Sequence, residues 1–357
     1  MSKTIDFRVE DGVAVIAIDV PGQSMNVINA TFIEEFETAV RRVLEDDEIV
    51  GAVITSAKKD FMAGADLRML SSMTALAKRA SAGEVFQQAF RLNRLFRLME
   101  TGGKPVKQLQ KERTKPFVAA VHGQALGGGF ELPLACHFRV ATGDPRTTFG
   151  LPEVMVGLLP GAGGTQRLPR IIGIQAALQY LTTGKKMSAM EAKGFGIVNE
   201  IVESRDELIE KAKELVKANP KAVQPWDQRG FKFPGGAGAM NPKAVQTFMA
   251  ANAMAQAKTW GLYPAVRYIL ASVYEGGIVP MDRALALESK YFTRLMVEGQ
   301  AARMIRTLFV NKQAAEKGAR RPKDVPPQPT KKLGMLGAGL MGAGIAYVSA
   351  KAGIEVV

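Results

Sequence analysis

An α/β fold with parallel strands, followed by a mainly helical region, is the architecture this sequence predicts. Over residues 4–143, apolar β-branched runs alternate with stretches of helical period, the order that buries strands on both faces. From about residue 172 the strand signals thin out and helix-period stretches dominate. A Pro- and charge-rich stretch over 317–330 then reads as a linker to a glycine-containing tail.

The elements follow in order. Residues 4–20 form a hairpin, with two apolar runs flanking Asp11-Gly12, a dipeptide that accepts the positive φ of a tight turn. Residues 29–46 form a helix, because Phe32, Phe36, Val40 and Val43 recur on one face. "IVGAVITS" over 49–56 is a strand buried on both faces, and 84–99 is a helix. A strand over 116–123, a helix over 129–136 and a strand over 138–143 complete the first part. Ser188 and Glu191 make a capping box at a later helix start. Residues 220–243 are rich in Pro and Gly, yet Trp226, Phe231 and Phe233 predict an ordered excursion. Long helices resume over 244–316. Segment 105–115 looks like a local insertion before the buried strand at 116.

Composition narrows the class. Of 357 residues, 47% are hydrophobic and 23% charged, which excludes wholesale disorder. The length suits two ordinary domains, or one large one with an appendage. The single cysteine, Cys136, excludes an internal disulfide framework and fits a reducing, cytoplasmic setting. The N-terminus lacks the pattern of a secretion signal, and no apolar run is long enough to predict a membrane span. Lys and Arg (47) exceed Asp and Glu (34) by 13. The basic clusters at 104–115 and 317–332 carry no interleaved aromatic residues, so the charge alone does not point to nucleic acid.

Three stretches carry chemistry. In "KKDFMAGADLRML" (58–70), Gly64 and Ala65 sit after a strand and before a helix, where small residues let a ligand approach backbone N–H groups. In "HGQALGGGFELPLAC" (122–136), a strand runs through Gly127, Gly128 and Gly129 into a helix whose first turn holds Glu131. Three glycines there cost backbone entropy, and the helix start favours partial negative charge on an oxygen. The plainer reading of Glu131 is favourable charge at a helix start. In "FGLPEVMVGLLPGAGGTQRLPR" (149–170), Glu153 lies among apolar residues ahead of a glycine loop. A carboxyl in such surroundings resists ionisation and is a candidate proton handler. The plainer alternative is a solvent-facing glutamate at a strand edge. His122 and His137 are too few for a metal site, and no Ser/His/Asp set stands out. Two glutamates with backbone amides suit addition of water beside a polarised carbonyl.

In order and spacing, "FMAGADLRML", "AAVHGQALGGGFELPLAC" and the 149–170 stretch resemble the signature segments of the crotonase (enoyl-CoA hydratase/isomerase) family. The resemblance covers roughly 5–205. It implies a spiral of ββα turns over 1–205, a helical extension over 206–316 covering an acyl pocket, and hydration of an acyl-CoA substrate without a cofactor. By resemblance, the N–H groups of Ala65 and Gly128 form an oxyanion hole for the thioester oxygen. Glu131 and Glu153 hold and activate water, and Gly161 offers a further N–H. Ala63, Gly64, Asp66, Lys59 and Arg68 serve the CoA moiety. Isomerisation is the implied alternative activity, while thiolase docking and RNA binding are the non-enzymatic alternatives. Segment 105–115 departs from the usual spacing of the family.

Beyond residue 205 the chain resembles the multifunctional fatty-acid β-oxidation proteins of α-subunit type, in which a 3-hydroxyacyl-CoA dehydrogenase follows the hydratase. That likeness implies a thiolase subunit as partner of the full-length protein, and a homo-oligomer as an open alternative. In the tail, Gly337, Gly339 and Gly342 spell the G-x-G-x-x-G fingerprint of dinucleotide binding. The sequence stops at Val357, just before the acidic ribose partner is due. Residues 331–357 are therefore expected to be the truncated start of a Rossmann domain that does not bind NAD.

Overall fold

The computed structural model describes residues 3–357 apart from Lys323 and Pro327, and of Leu67 and Arg68 the backbone alone. The chain divides into two compact units, Met1–Phe309 and Val310–Val357. The helical extension expected over 206–316 thus belongs, up to Phe309, to the same unit as the strands.

The first unit begins with β1 (Ile5–Glu10) and β2 (Val13–Ile18), paired antiparallel. Asp11 and Gly12 between them both take positive φ, 50° and 75°, the turn whose twist matches a hairpin. Helix α1 (Ala30–Glu45) follows, capped by Asn29 and burying Phe32, Phe36, Val40 and Val43. Next come β3 (Gly51–Ser56), α2 (Leu67–Leu76) and α3 (Ala82–Thr101). Segment 105–115 supplies a short helix, α4 (Val106–Glu112), ahead of β4 (Phe117–Val121). Then come β5 (Gln124–Leu126), α5 (Gly128–Ala135), β6 (Phe138–Thr142), β7 (Thr148–Gly150) and a 3-10 turn, Pro152–Val156. Helices α6 (Gly164–Ile172) and α7 (Ile174–Leu181) lead to β8 (Lys186–Ser188), and α8 (Ala189–Gly194) to β9 (Glu200–Val202). Ser188 and Glu191 close the predicted capping box on α8. The rest is helical: α9 (Arg205–Ala218), α10 (Pro242–Thr259), α11 (Pro264–Gly276), α12 (Met281–Glu298) and α13 (Gln300–Met304).

The main sheet has the order β1-β2-β3-β4-β6-β9, parallel from β2 onward. A second, three-stranded sheet joins β5, β7 and β8. Both faces of the main sheet are covered. Ala14, Ile16, Ile54, Ala119 and Val121 face the large core that includes α1, α3 and α5. Val13, Val53, Val118 and Val140 face Leu208, Ala212 and Val216 of α9. This double coverage is why the strands read as continuous apolar runs rather than alternating ones. The strand at 200–202 and the three strands of the second sheet were not expected; each has three residues, too few to show a period.

Residues 220–243 are ordered as foreseen. Phe231 and Phe233 stack edge to face, and the Arg170 guanidinium lies 5.3 Å from the Phe233 ring centroid. Cys136 is fully buried, which pushes its thiol up to about 12. No helix among the described residues is long and apolar enough to cross a membrane.

The second unit holds α14 (Lys312–Glu316), β10 (Lys332–Leu333), α15 (Leu340–Lys351) and β11 (Glu355–Val356), with β10 and β11 parallel.

Candidate active site

Two loops and one helix start meet. The loop after β3 is tied to the start of β5: Met62 N–H donates to the Gln124 carbonyl (3.0 Å), and Leu126 N–H to the Met62 carbonyl (2.9 Å). On its other side the loop is pinned to Ile28. The Ile28 N–H donates to the Gly64 carbonyl (2.8 Å), and the Asp66 N–H to the Ile28 carbonyl (3.0 Å). Peptide groups alternate in direction along an extended chain, so the N–H of Ala65 faces away from Ile28. Gly64 has φ of 93°, and a Cβ there would lie 2.9 Å from the Leu126 carbonyl and 3.3 Å from Gly128 N. The backbone of 64–65 therefore lies directly against the start of α5.

Gly128 opens α5, so its N–H has no partner within the helix. Among the described residues, neither Ala65 N–H nor Gly128 N–H donates to another group. The three glycines are explained by the protein's own close packing. A Cβ on Gly129 would fall 2.4 Å from the Met62 carbonyl, and one on Gly128 would fall 2.6 Å from Ile28 Cδ1. One on Gly127, at φ 56°, would fall 2.9 Å from Glu153 Oε1. The cost expected from a ligand's approach is thus accounted for in part by contacts within the fold.

Glu131 is 2% exposed, on α5. Its Oε1 accepts the N–H groups of Ala162 (2.8 Å) and Gly164 (2.7 Å). Burial pushes its carboxyl well above the usual range; the charges of Glu153 and Glu288 add to this, and the two amides oppose it. This is more than a charge at a helix start, because the side chain turns inward to the 161–165 loop. Glu153 lies in the 3-10 turn after β7, not at a strand edge. Its Oε2 is shut off from solvent and has no hydrogen-bond partner among the described residues. Burial, then the Glu288 charge, raise its carboxyl to about 8, against a backbone bond of its own. Two carboxyl groups thus flank one glycine run, and each of them resists ionisation.

Glu288 on α12 is a third carboxyl beside the 161–165 loop that no motif announced. It is fully buried. Its Oε1 accepts from Gly163 N (2.6 Å) and Asn93 Nδ2 (3.2 Å), and its Oε2 from the N–H (2.9 Å) and hydroxyl (2.6 Å) of Thr165. Burial raises its carboxyl, while these donors and the Arg167 charge pull it back. The sequence did hold a signal. Along α12, Met281, Leu285, Glu288, Phe292 and Leu295 are all buried at helical spacing, so a glutamate occupies a slot of the apolar stripe. Arg167, also fully buried, donates to the Ala162 carbonyl (2.7 Å) and pairs with Glu100 (2.6 Å).

The remaining predicted residues are placed as follows. The Gly161 carbonyl accepts from Asn93 (3.0 Å), and a Cβ on Gly161 would meet the Phe292 ring at 2.8 Å. Ala63 N–H is taken by the Asn26 carbonyl (2.9 Å). Asp66 is partly exposed. Lys59 is exposed, and its charge adds slightly to the Arg146 hydrogen bonds that hold the Asp144 carboxyl down to about 2. The side chain of Arg68 lies outside the described residues. Both histidines meet backbone groups: His122 Nε2 meets the Lys58 carbonyl (2.9 Å), and His137, held by burial down to about 4, accepts from Phe117 N–H. No cluster of metal-ligating side chains occurs among the described residues.

In the second unit, Gly337 has φ of 101°, and a Cβ on Gly342 would fall 1.9 Å from the Gly337 carbonyl. Gly339 precedes α15 as its N-cap. A tight turn is present at these glycines, but the described residues of this unit pair two strands only. A dinucleotide lies in a crevice between further strands, so these residues do not by themselves fit NAD.

Among solved structures, the chain is similar to an enoyl-CoA hydratase from Bacillus anthracis, with 25% identity, a TM-score of 0.50, and 88% of this chain and 97% of that one covered. It is also similar to an enoyl-CoA hydratase/isomerase from Mycobacterium paratuberculosis, at 23% identity and a TM-score of 0.56 over 85% and 98% of the two chains. An enoyl-CoA hydratase from Bacillus halodurans shares the fold at 21% identity, a TM-score of 0.56, and 85% and 99% coverage. Residues 8–226, more than half of the sequence, match the family model described as enoyl-CoA hydratase/isomerase, and this protein belongs to that family.

Proposed function

We propose that the chain is an enoyl-CoA hydratase, adding water across C2=C3 of a trans-2-enoyl-CoA to give a 3-hydroxyacyl-CoA. The observation that carries this reading is the pair of carboxyl groups, buried Glu131 and half-buried Glu153 with its Oε2 shut off from solvent, on either side of a glycine run beside two unclaimed amides. Ala65 N–H and Gly128 N–H receive the thioester oxygen. Conjugation carries their pull to C3, which becomes electrophilic as enolate character develops. Glu131, steadied by the loop amides, orients water for attack at C3, with Gly161 N–H as a further donor to it. Glu153, protonated near neutral pH, delivers a proton to C2 and is reprotonated by the proton the water loses as its oxygen bonds C3. One oxyanion donor contributes about 10²–10³ in rate, and an acid/base group about 10²–10⁴. Ala63, Gly64, Asp66, Lys59 and Arg68 are assigned to the CoA moiety. No cofactor takes part.

Isomerisation of a 3-enoyl thioester uses the same oxyanion donors with Glu153 alone as shuttle, and follows as a side activity. The fingerprint at Gly337, Gly339 and Gly342 supports reading the tail as the start of a 3-hydroxyacyl-CoA dehydrogenase, which would oxidise the hydratase product. The setting is then cytoplasmic fatty-acid β-oxidation, with a thiolase subunit as partner of the full-length protein.

The test is loss of absorbance at the enoyl thioester band on crotonyl-CoA. Glu131→Gln and Glu153→Gln are each expected to lower turnover by about 10²–10⁴ with the fold intact. Near-wild-type turnover in either variant sinks the assignment.

A further inference from the structure

The loop 161–165 is gripped from two sides by alternate peptide groups. Ala162 and Gly164 donate their N–H groups to Glu131, while Gly163 and Thr165, the residues between and after them, donate theirs to Glu288. Four successive amides thus point alternately at two carboxyl groups from distant parts of the chain. Rotating any one of these peptide planes would break its bond to one carboxyl group. Asn93 on α3 completes the grip, bonding both the Gly161 carbonyl and Glu288. All acceptor positions of Glu288 meet donors, and none of its oxygens faces a reacting atom.

From this alternation we infer that Glu288 is a positioning residue for hydration, fixing the loop that holds Glu131 at its working angle. The inference rests on the reading of Glu131 as the carboxylate that orients water. It gives the helical extension a part in catalysis beyond covering an acyl pocket.

Glu288→Gln keeps the shape but turns one acceptor into a donor, so an N–H of the loop faces an NH₂ whichever way the amide lies. A displacement of the order of 1 Å at a catalytic group can cost about 10² in rate.

The experiment compares two reactions of the same site. Hydration of crotonyl-CoA needs Glu131. Exchange of the C2 proton of butyryl-CoA with deuterated solvent, read by NMR, needs the oxyanion donors and Glu153 only: Glu153 takes the proton, the enolate sits on the amides, and a deuteron returns. Glu288→Gln is expected to lose about 10² in hydration while exchange stays within about threefold. Equal loss of both reactions would mean a merely structural role, and no loss would mean no role; either overturns the inference. Glu131→Gln is the control and should show the same split. If Glu131→Gln hydrates normally, the underlying reading fails; if it shows the split and Glu288→Gln does not, only the inference fails. Should Glu288→Gln not fold, Thr165→Val keeps the amide bond and removes only the hydroxyl that donates to Glu288 Oε2. It should slow hydration by about 3–10-fold with exchange unchanged, and equal slowing of both overturns the inference.

Discussion

Glu153 Oε1 occupies the space in which a side chain at Gly127 would begin: a Cβ there would lie 2.9 Å from it. The glycine and the carboxylate are therefore one feature. Gly127→Ala must push Glu153 aside and also hold alanine at φ 56°, which costs about 1–2 kcal/mol. The expected outcome is a folded protein, about 1–2 kcal/mol less stable by urea unfolding, with hydration down by about 10². Unchanged turnover would show that Glu153 is not confined by this contact.

The raised carboxyl of Glu153 sets a pH dependence. Held near 8, it is protonated at neutral pH and able to act as an acid. The kcat/KM for hydration is expected to fall on the alkaline side with an apparent pKa near 8, a value that belongs to the coupled carboxyl set. Stability moves in the same sense. A carboxyl whose folded pKa lies above its unfolded one favours the fold fully below about 4.5, and that contribution is lost as pH rises through 8. A pH–rate profile flat to pH 9.5 would contradict this assignment.

Removing Glu100 should be far more damaging than a surface ion pair suggests. Its Oε1 is 2.6 Å from Arg167 Nε with both side chains fully buried, and its Oε2 is 3.1 Å from Arg97. Glu100→Ala leaves a buried guanidinium uncompensated, a loss of about 3–5 kcal/mol. Urea midpoints at low and high salt test this, and the loss should persist at high salt because the pair is shielded from solvent ions.

The tail yields a negative expectation. Gly337, Gly339 and Gly342 sit in a tight turn, yet among the described residues the pairing of β10 with β11 supplies no crevice. Calorimetric titration of this chain with NAD should give no micromolar binding; a clear isotherm would overturn that view.

The three segments that carry Ala65, Gly128, Glu131 and Glu153 were legible in the sequence because each combines a buried run with glycines in a fixed order. So were the hairpin at Asp11-Gly12 and the amphipathic α1, whose local chemistry decides their form. Strands β5, β7, β8 and β9 were not legible, since three residues held in place by tertiary pairing carry no local signature. Glu288 escaped for another reason: α12 meets the 161–165 loop only after folding, and a glutamate in an otherwise ordinary helix names no partner. Both histidines, set aside in the sequence reading as too few for a metal site, each meet a backbone group.

The single thiol of the chain offers a use of its own. Cys136 closes α5, the helix that carries Glu131, and its backbone carbonyl accepts from Arg139 and Gln224. Fully buried and weakly acidic, the sulfur is unreactive in the intact fold. Alkylation at this one atom therefore keeps time for the opening of α5, giving the protein an internal clock of its own breathing that needs no engineered label.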